Sequence, residues 1–258
     1  MIHSMISPEH AAISLHANIG WARPSDFSVE EIANSLGLIV KEVPMKGADG
    51  RILMKGNSGI ISIRDNITHP GRKNFVIAHE IGHFQCHKHL SHLYSDTHKT
   101  LTEWYATGPQ EKEANRFAAE LLMPASLFKT KTIGKRLNLG FMQEMSTFFG
   151  VSILACFLRF VNQGNYPVMV VFMEDGIIKW KQESDDFPYK FLEYGSPVPA
   201  FTVAGDYFKY GRIEQAPEKV KAMDWFPDSW RLRYEPNAEL YEQSYKVSGN
   251  GLVSCLWS

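Results

Sequence analysis

The stretch Phe75-Val76-Ile77-Ala78-His79-Glu80-Ile81-Gly82-His83-Phe84 decides how this chain is read. Phe75, Ala78, Ile81 and Phe84 recur at helical spacing, which predicts a buried helix through the two histidines. Pro70 suits its first turn and Thr68 stands where a cap is expected. Two histidines four apart project from one helix face, close enough for both imidazoles to reach one tetrahedral metal ion. Glu80, directly after the first histidine, stands beside such an ion and can take a proton from an attacking water. Burying this polar face in an apolar helix is costly unless a metal or hydrogen bonds satisfy it. Gly82 points the same way. A glycine inside a helix costs about 1 kcal/mol against alanine, so its presence predicts close approach by another element.

A hydrolytic zinc site needs a third protein ligand and an open position. Helical periodicity returns from Gln110 to Met123, and this second helix offers Glu111, with Asn115 on the same face to orient a ligand from behind. Small side chains at Ala114, Ala118 and Ala119 would let it lie tightly against a partner helix. Glu113 is a rival, but it sits about 200° around the helix from Glu111, so only one of the two can face the ion. The first turn also favours solvated carboxylates at both positions, through the helix dipole. Removal of Glu113 is accordingly expected to leave metal affinity within a few-fold. His89 is a second rival, at the spacing of a three-histidine pattern that requires a glycine where this chain has Cys86. His87 continues the histidine face and reads as a hydrogen-bonded residue at the helix end, and Cys86 as a small packing residue. Tyr94, Trp104 and Tyr105 are candidates for stabilising an oxyanion.

Composition narrows the class. The 258 residues carry 27 basic and 28 acidic side chains, a formal charge of −1, so no overall electrostatic grip on nucleic acid or anionic lipid is indicated. No apolar run reaches the roughly 20 residues of a membrane span, and the N-terminus lacks a signal-peptide pattern. Three cysteines without paired spacing suit a reducing compartment, so the protein is expected to be cytoplasmic. Six of the ten histidines fall between His79 and His98, which concentrates metal chemistry in one region.

The remainder is read from caps, periodicity and turns. Helices are expected between Ile6 and Leu36, broken from Gly20 to Pro24, with Ser28 and Glu31 forming a capping box and Gly37 ending the second. Leu38–Val43, 51–55 and 59–64 read as strands of a small, partly antiparallel sheet. Residues 89–109 lose periodicity and read as a loop. Two helical segments, 139–149 and 152–160, flank Gly150. A helix-turn-helix reading of that pair meets a second segment with few polar groups for base edges. Hairpins follow at Glu174-Asp175-Gly176 and at Ser248-Gly249-Asn250-Gly251.

The first stretch, together with Glu111-Lys112-Glu113-Ala114-Asn115-Arg116-Phe117-Ala118-Ala119-Glu120-Leu121-Leu122-Met123-Pro124, resembles the ImmA/IrrE family of metallopeptidases. The likeness extends from Ile32 to Trp180. It implies an α+β, zincin-like domain with a small sheet and an active-site helix, here over residues 1–163, followed by a smaller mixed or β-rich C-terminal unit over 164–258. It further implies zinc (Zn2+) held by His79, His83 and Glu111, and Glu80 as catalytic acid and base. The implied partner is a helix-turn-helix transcriptional repressor, whose cleavage would derepress stress-response or mobile-element genes. Many relatives carry a separate DNA-binding domain. The catalytic-type fold begins almost at once here, so direct nucleic-acid binding is not expected. Two other functions suit the same residues: a metal-holding regulatory module without turnover, and a zinc hydrolase of a non-peptide amide.

Overall fold

The structure, a computed structural model, describes residues 7–87, 93–95, 108–247 and 249–258. It divides into two compact units, Met1–Leu127 with Ser146–Ser152, and Phe128–Met145 with Ile153–Ser258. This differs from the single cut after residue 163 expected from the sequence. The physical reason lies in the helices of residues 125–163, most of which pack as core of the second unit.

In the first unit, helix α1 (Pro8–Ile19) is capped by Ser7 and closed by Gly20 in the left-handed region. Helix α2 (Val29–Ser35) opens on the expected capping box: Ser28 Oγ accepts from the Glu31 N–H, and the Glu31 carboxylate accepts from the Ser28 N–H. Strands β1 (Leu38–Val43), β2 (Gly50–Lys55) and β3 (Ser58–Arg64) follow, joined by β4 (Leu93–Ser95) in a sheet ordered β1-β3-β2-β4. β1 runs parallel to β3 and the other pairings are antiparallel. β4 lies within residues expected as loop.

Helix α3 (Pro70–His87) contacts β2 and β3 as well as helix α4 (Pro109–Leu122) and α1. Every residue from Val76 to Phe84 is buried, so the histidine motif lies on an enclosed helix. Its N-terminus is capped one residue later than expected. His69, not Thr68, supplies the side-chain acceptor, with Nδ1 taking the Arg72 N–H at 3.3 Å ahead of Pro70. Gly71 allows residues 151 and 152 to press on the first turn, for a β-carbon there would lie 2.3 Å from the Val151 carbonyl carbon.

The second unit holds most of helices α5 (Ala125–Thr132) and α6 (Leu139–Phe149), and α7 (Ile153–Gln163). Its sheet contains β5 (Val168–Glu174) and β6 (Ile177–Glu183), joined by the predicted hairpin with Asp175 and Gly176 at positive φ. Helix α8 (Val203–Tyr210), β7 (Glu218–Lys221), β8 (Glu239–Lys246) and β9 (Gly251–Trp257) complete it. The antiparallel order is β6-β5-β9-β8-β7. Strands β5 and β9 are buried on both faces: α7 packs on β5 and β6, and Phe187, Trp225, Phe226 and Leu232 join the core formed with Met169, Val171, Leu252 and Leu256. Helix α7 buries Leu154 to Val161, Arg159 included, leaving little polar face for reading bases. Among the described residues no single helix is long and apolar enough to cross a membrane.

One carboxylate ties the second unit together. Glu242 of β8 is wholly buried and accepts from the Val203 and Ala204 N–H groups, Trp225 Nε1 and Ser254 Oγ, at 2.9–3.0 Å. It thus holds the N-terminus of α8 and the Trp225 indole against the sheet, although burial pushes its carboxyl above the usual range against these bonds. Three of the donors are N–H groups shared between two oxygens. Glu242→Gln would turn an amide NH2 toward at least one of them, leaving donors opposed. We expect a loss of about 2–4 kcal/mol in denaturant unfolding; a shift below about 0.5 kcal/mol, the usual scale of a neutral surface change, would refute this role.

Candidate metal centre

The centre is built where α3 and α4 touch. Gly82 makes that contact possible: a β-carbon there would lie 3.0 Å from the Ala114 carbonyl oxygen and 3.2 Å from Phe117 Cβ. Ala114 and Ala118, both fully buried, complete the close face expected from their size. Held this near, α4 delivers its side chains onto the histidine stripe of α3.

Glu111 bridges both histidines of the motif. Its Oε2 lies 3.1 Å from His79 Nε2 and its Oε1 lies 3.3 Å from His83 Nε2. The two Nε2 atoms are 3.0 Å apart. One ligand atom from each of His79, His83 and Glu111 falls within 4.8 Å of the others, so the three converge as a group able to hold a metal ion. The donor set of two imidazoles and one carboxylate, with Glu111 a quarter exposed toward solvent, fits a three-ligand hydrolytic site. Asn115 stands behind His79, its Oδ1 2.8 Å from Nδ1. With Nε2 turned to the ligand cluster, Nδ1–H donates to that amide oxygen and fixes the ring.

The electrostatics follow from this packing. Burial pushes the Glu111 carboxyl upward, but hydrogen bonds and charge from His79 and His83 outweigh it together and hold the group well below the ordinary range. Burial lowers His83, against the upward pull of its Glu111 bond, which favours the neutral imidazole that a metal requires. Cys86 behaves as the small packing residue read from the sequence, since burial drives its thiol up to about 11, away from nucleophilic use.

Glu80 is fully buried beside the histidines, and its position is set by the start of β2. A β-carbon on Gly50 would stand 2.6 Å from both Glu80 Oε1 and Val76 Cγ1, so only a glycine leaves room for this carboxylate. Asp49, the preceding residue, is locked by ion pairs to Arg64 and Arg72. Nothing in the sequence reading singled out Gly50 or Asp49. The Asp-Gly step at a strand start carried a turn signal but no hint that the glycine faces an α3 side chain.

Glu113 is placed differently from the solvated carboxylate read from the sequence. Instead of standing free in solvent, its Oε2 lies 2.8 Å from His87 Nε2, and His87 Nδ1 lies 3.1 Å from His83 Nδ1. His89, His92, His98, Trp104 and Tyr105 fall outside the described residues, and of Tyr94 only the backbone pairing with Ile52 is described.

Residues 33–159 match the peptidase M78 family model, described as the IrrE N-terminal-like domain. This stretch is an IrrE-like domain. The match takes in β1 to β4, α3 with both histidines, and α4 with Glu111, and ends within α7, so β5 and β6 lie beyond it. A Mycobacterium tuberculosis transcriptional regulator of known structure shares the fold, with a TM-score of 0.63 at 16% identity over 100% of this chain and 77% of that one. No curated protein matches the chain. The family match marks residues 33–159 as metallopeptidase-like in kind.

Gly50→Ala should displace the Glu80 carboxylate while leaving the ligands on α3 and α4 in place. Zinc content of the purified variant is expected to equal that of the wild type, with hydrolysis reduced by about two orders of magnitude, the scale of a lost general base. Full activity in Gly50→Ala would show that Glu80 does not need this space.

Proposed function

We propose that the protein is a zinc-dependent metallopeptidase that cuts a peptide bond in a protein partner, a helix-turn-helix transcriptional repressor, and so derepresses stress-response or mobile-element genes. The observation that carries the hydrolytic reading is the convergence of His79, His83 and Glu111 within 4.8 Å beside the wholly buried Glu80. When bound, zinc supplies a Lewis acid that makes water nucleophilic near neutral pH. His79 and His83 offer neutral Nε2 lone pairs to the ion, and Glu111 adds a carboxylate oxygen that offsets its charge. Asn115 keeps His79 in the tautomer that leaves Nε2 open. Glu80 takes the proton of the attacking water and passes it to the departing amide nitrogen, which balances the hydrolysis of one peptide bond.

Support for the repressor comes from the family resemblance and from the regulator that shares the fold. The near-neutral charge and the buried face of α7 favour action on a protein over direct action on DNA. A cut in an extended, exposed segment of the repressor would disable its dimerisation or its DNA binding.

The test is metal analysis with a cleavage assay against co-expressed helix-turn-helix repressors, beginning with any that is encoded beside this gene. About one zinc per chain is expected, along with Glu80-dependent fragments located by mass spectrometry, and Glu80→Gln should keep the metal and lose the cut. An active Glu80→Gln enzyme would sink the mechanism. Cleavage of unfolded proteins at large, with the repressor left whole, would sink the regulatory reading. Zinc uptake with no turnover toward any neighbour-encoded protein would favour a metal-holding interaction module instead.

A further inference from the structure

We infer that His87 and Glu113 form a positioning relay that holds the metal ligand His83 in one tautomer. The inference deepens the metal-site reading above and rests on it. Its basis is a chain of three contacts running away from the ligand cluster: His83 Nδ1 to His87 Nδ1 at 3.1 Å, and His87 Nε2 to Glu113 Oε2 at 2.8 Å, with His83 Nε2 at the other end facing Glu111 Oε1 at 3.3 Å. Both imidazoles are almost wholly buried, His83 at 1% and His87 at 2% exposure, so their ring nitrogens depend on protein partners.

The polarity of this chain follows from elementary donor and acceptor rules. A carboxylate oxygen only accepts, so His87 must present Nε2–H to Glu113. A neutral imidazole carries one N–H, which leaves His87 Nδ1 as an acceptor. With a metal ion at the cluster, His83 turns the Nε2 lone pair to the ion and carries its proton on Nδ1, where His87 accepts it; without the ion, the Glu111 carboxylate competes for that proton at Nε2. Reversing the chain would set two lone pairs against each other at Glu113. Glu113 thus favours, through two rings, the tautomer of His83 whose Nε2 is open to a metal. Asn115 does the same for His79 in a single step, and the two devices stand on the same helix α4.

This replaces the sequence expectation that Glu113 is dispensable for metal affinity. It also gives the third histidine of the i, i+4 series a task that helix packing alone would not require. Neither residue touches the reacting atoms; both act through His83.

The relay predicts a pattern across three variants, read as zinc affinity in competition with a chromophoric chelator. His87→Leu, which breaks the chain, is expected to weaken zinc binding by about 10–100-fold. His87→Gln should recover most of that loss, because its amide oxygen can accept from His83 while its NH2 donates to Glu113. Glu113→Gln can turn either amide group toward His87, so the tautomer is no longer imposed, and a loss of about tenfold is expected. Wild-type affinity in His87→Leu, or a Gln variant as weak as the Leu variant at unchanged metal-free melting temperature, would overturn the relay. Should His87→Leu fail to fold, Glu113→Gln, at a site 37% exposed, still decides, since wild-type zinc affinity in that variant would overturn the relay. A wild-type chain that takes up no zinc would overturn the relay together with the site, whereas zinc uptake without peptide cleavage would sink only the peptidase reading.

Discussion

Desolvation of a polar stripe is the constraint on which the first unit depends. His79, Glu80, His83 and His87 run along a helix that is enclosed over its whole middle, where unsatisfied polar groups cost several kcal/mol each. The fold meets that cost by laying one short helix across the stripe, with a named partner for each ring: Asn115 for His79, Glu111 facing both motif histidines, Glu113 for His87. α4 can reach them because α3 carries no side chain at Gly82. Hydrogen-bond satisfaction and helix packing are therefore two aspects of one contact, and a metal would be held by groups already fixed in place.

Much of this was legible in the sequence. The i, i+4 histidines, the adjacent glutamate and the small-residue face of the second helix each follow a local rule, and local rules survive folding when the element is long and strongly periodic. Glu111 and Asn115 could be paired for the same reason, as they share a face. What stayed hidden depends on contacts between elements distant in sequence. Gly50 matters only because Val76 and Glu80 press against it, and Glu113 only because His87 ends the stripe within its reach. No periodicity in either segment encodes the other.

The second unit was less legible, for a different reason. Its two hairpins carried turn signals and were read in place, yet α5, α8 and β7 were not read at all. α8 is eight residues long and opens on a threonine cap in an aromatic, proline-rich stretch, where the apolar pattern reflects burial against a sheet rather than a helical face. Its start is held by the carboxylate of Glu242, a residue 38 positions downstream of Ala204, so the signal that fixes it lies in another strand. Tertiary context of this sort overrides local preference in short elements.

The Gly82 contact also bears on which substitutions the first unit can tolerate. A β-carbon at position 82 would stand 3.0 Å from the Ala114 carbonyl oxygen, so a larger side chain there would push α4 off α3 and widen the separations among His79, His83 and Glu111 together.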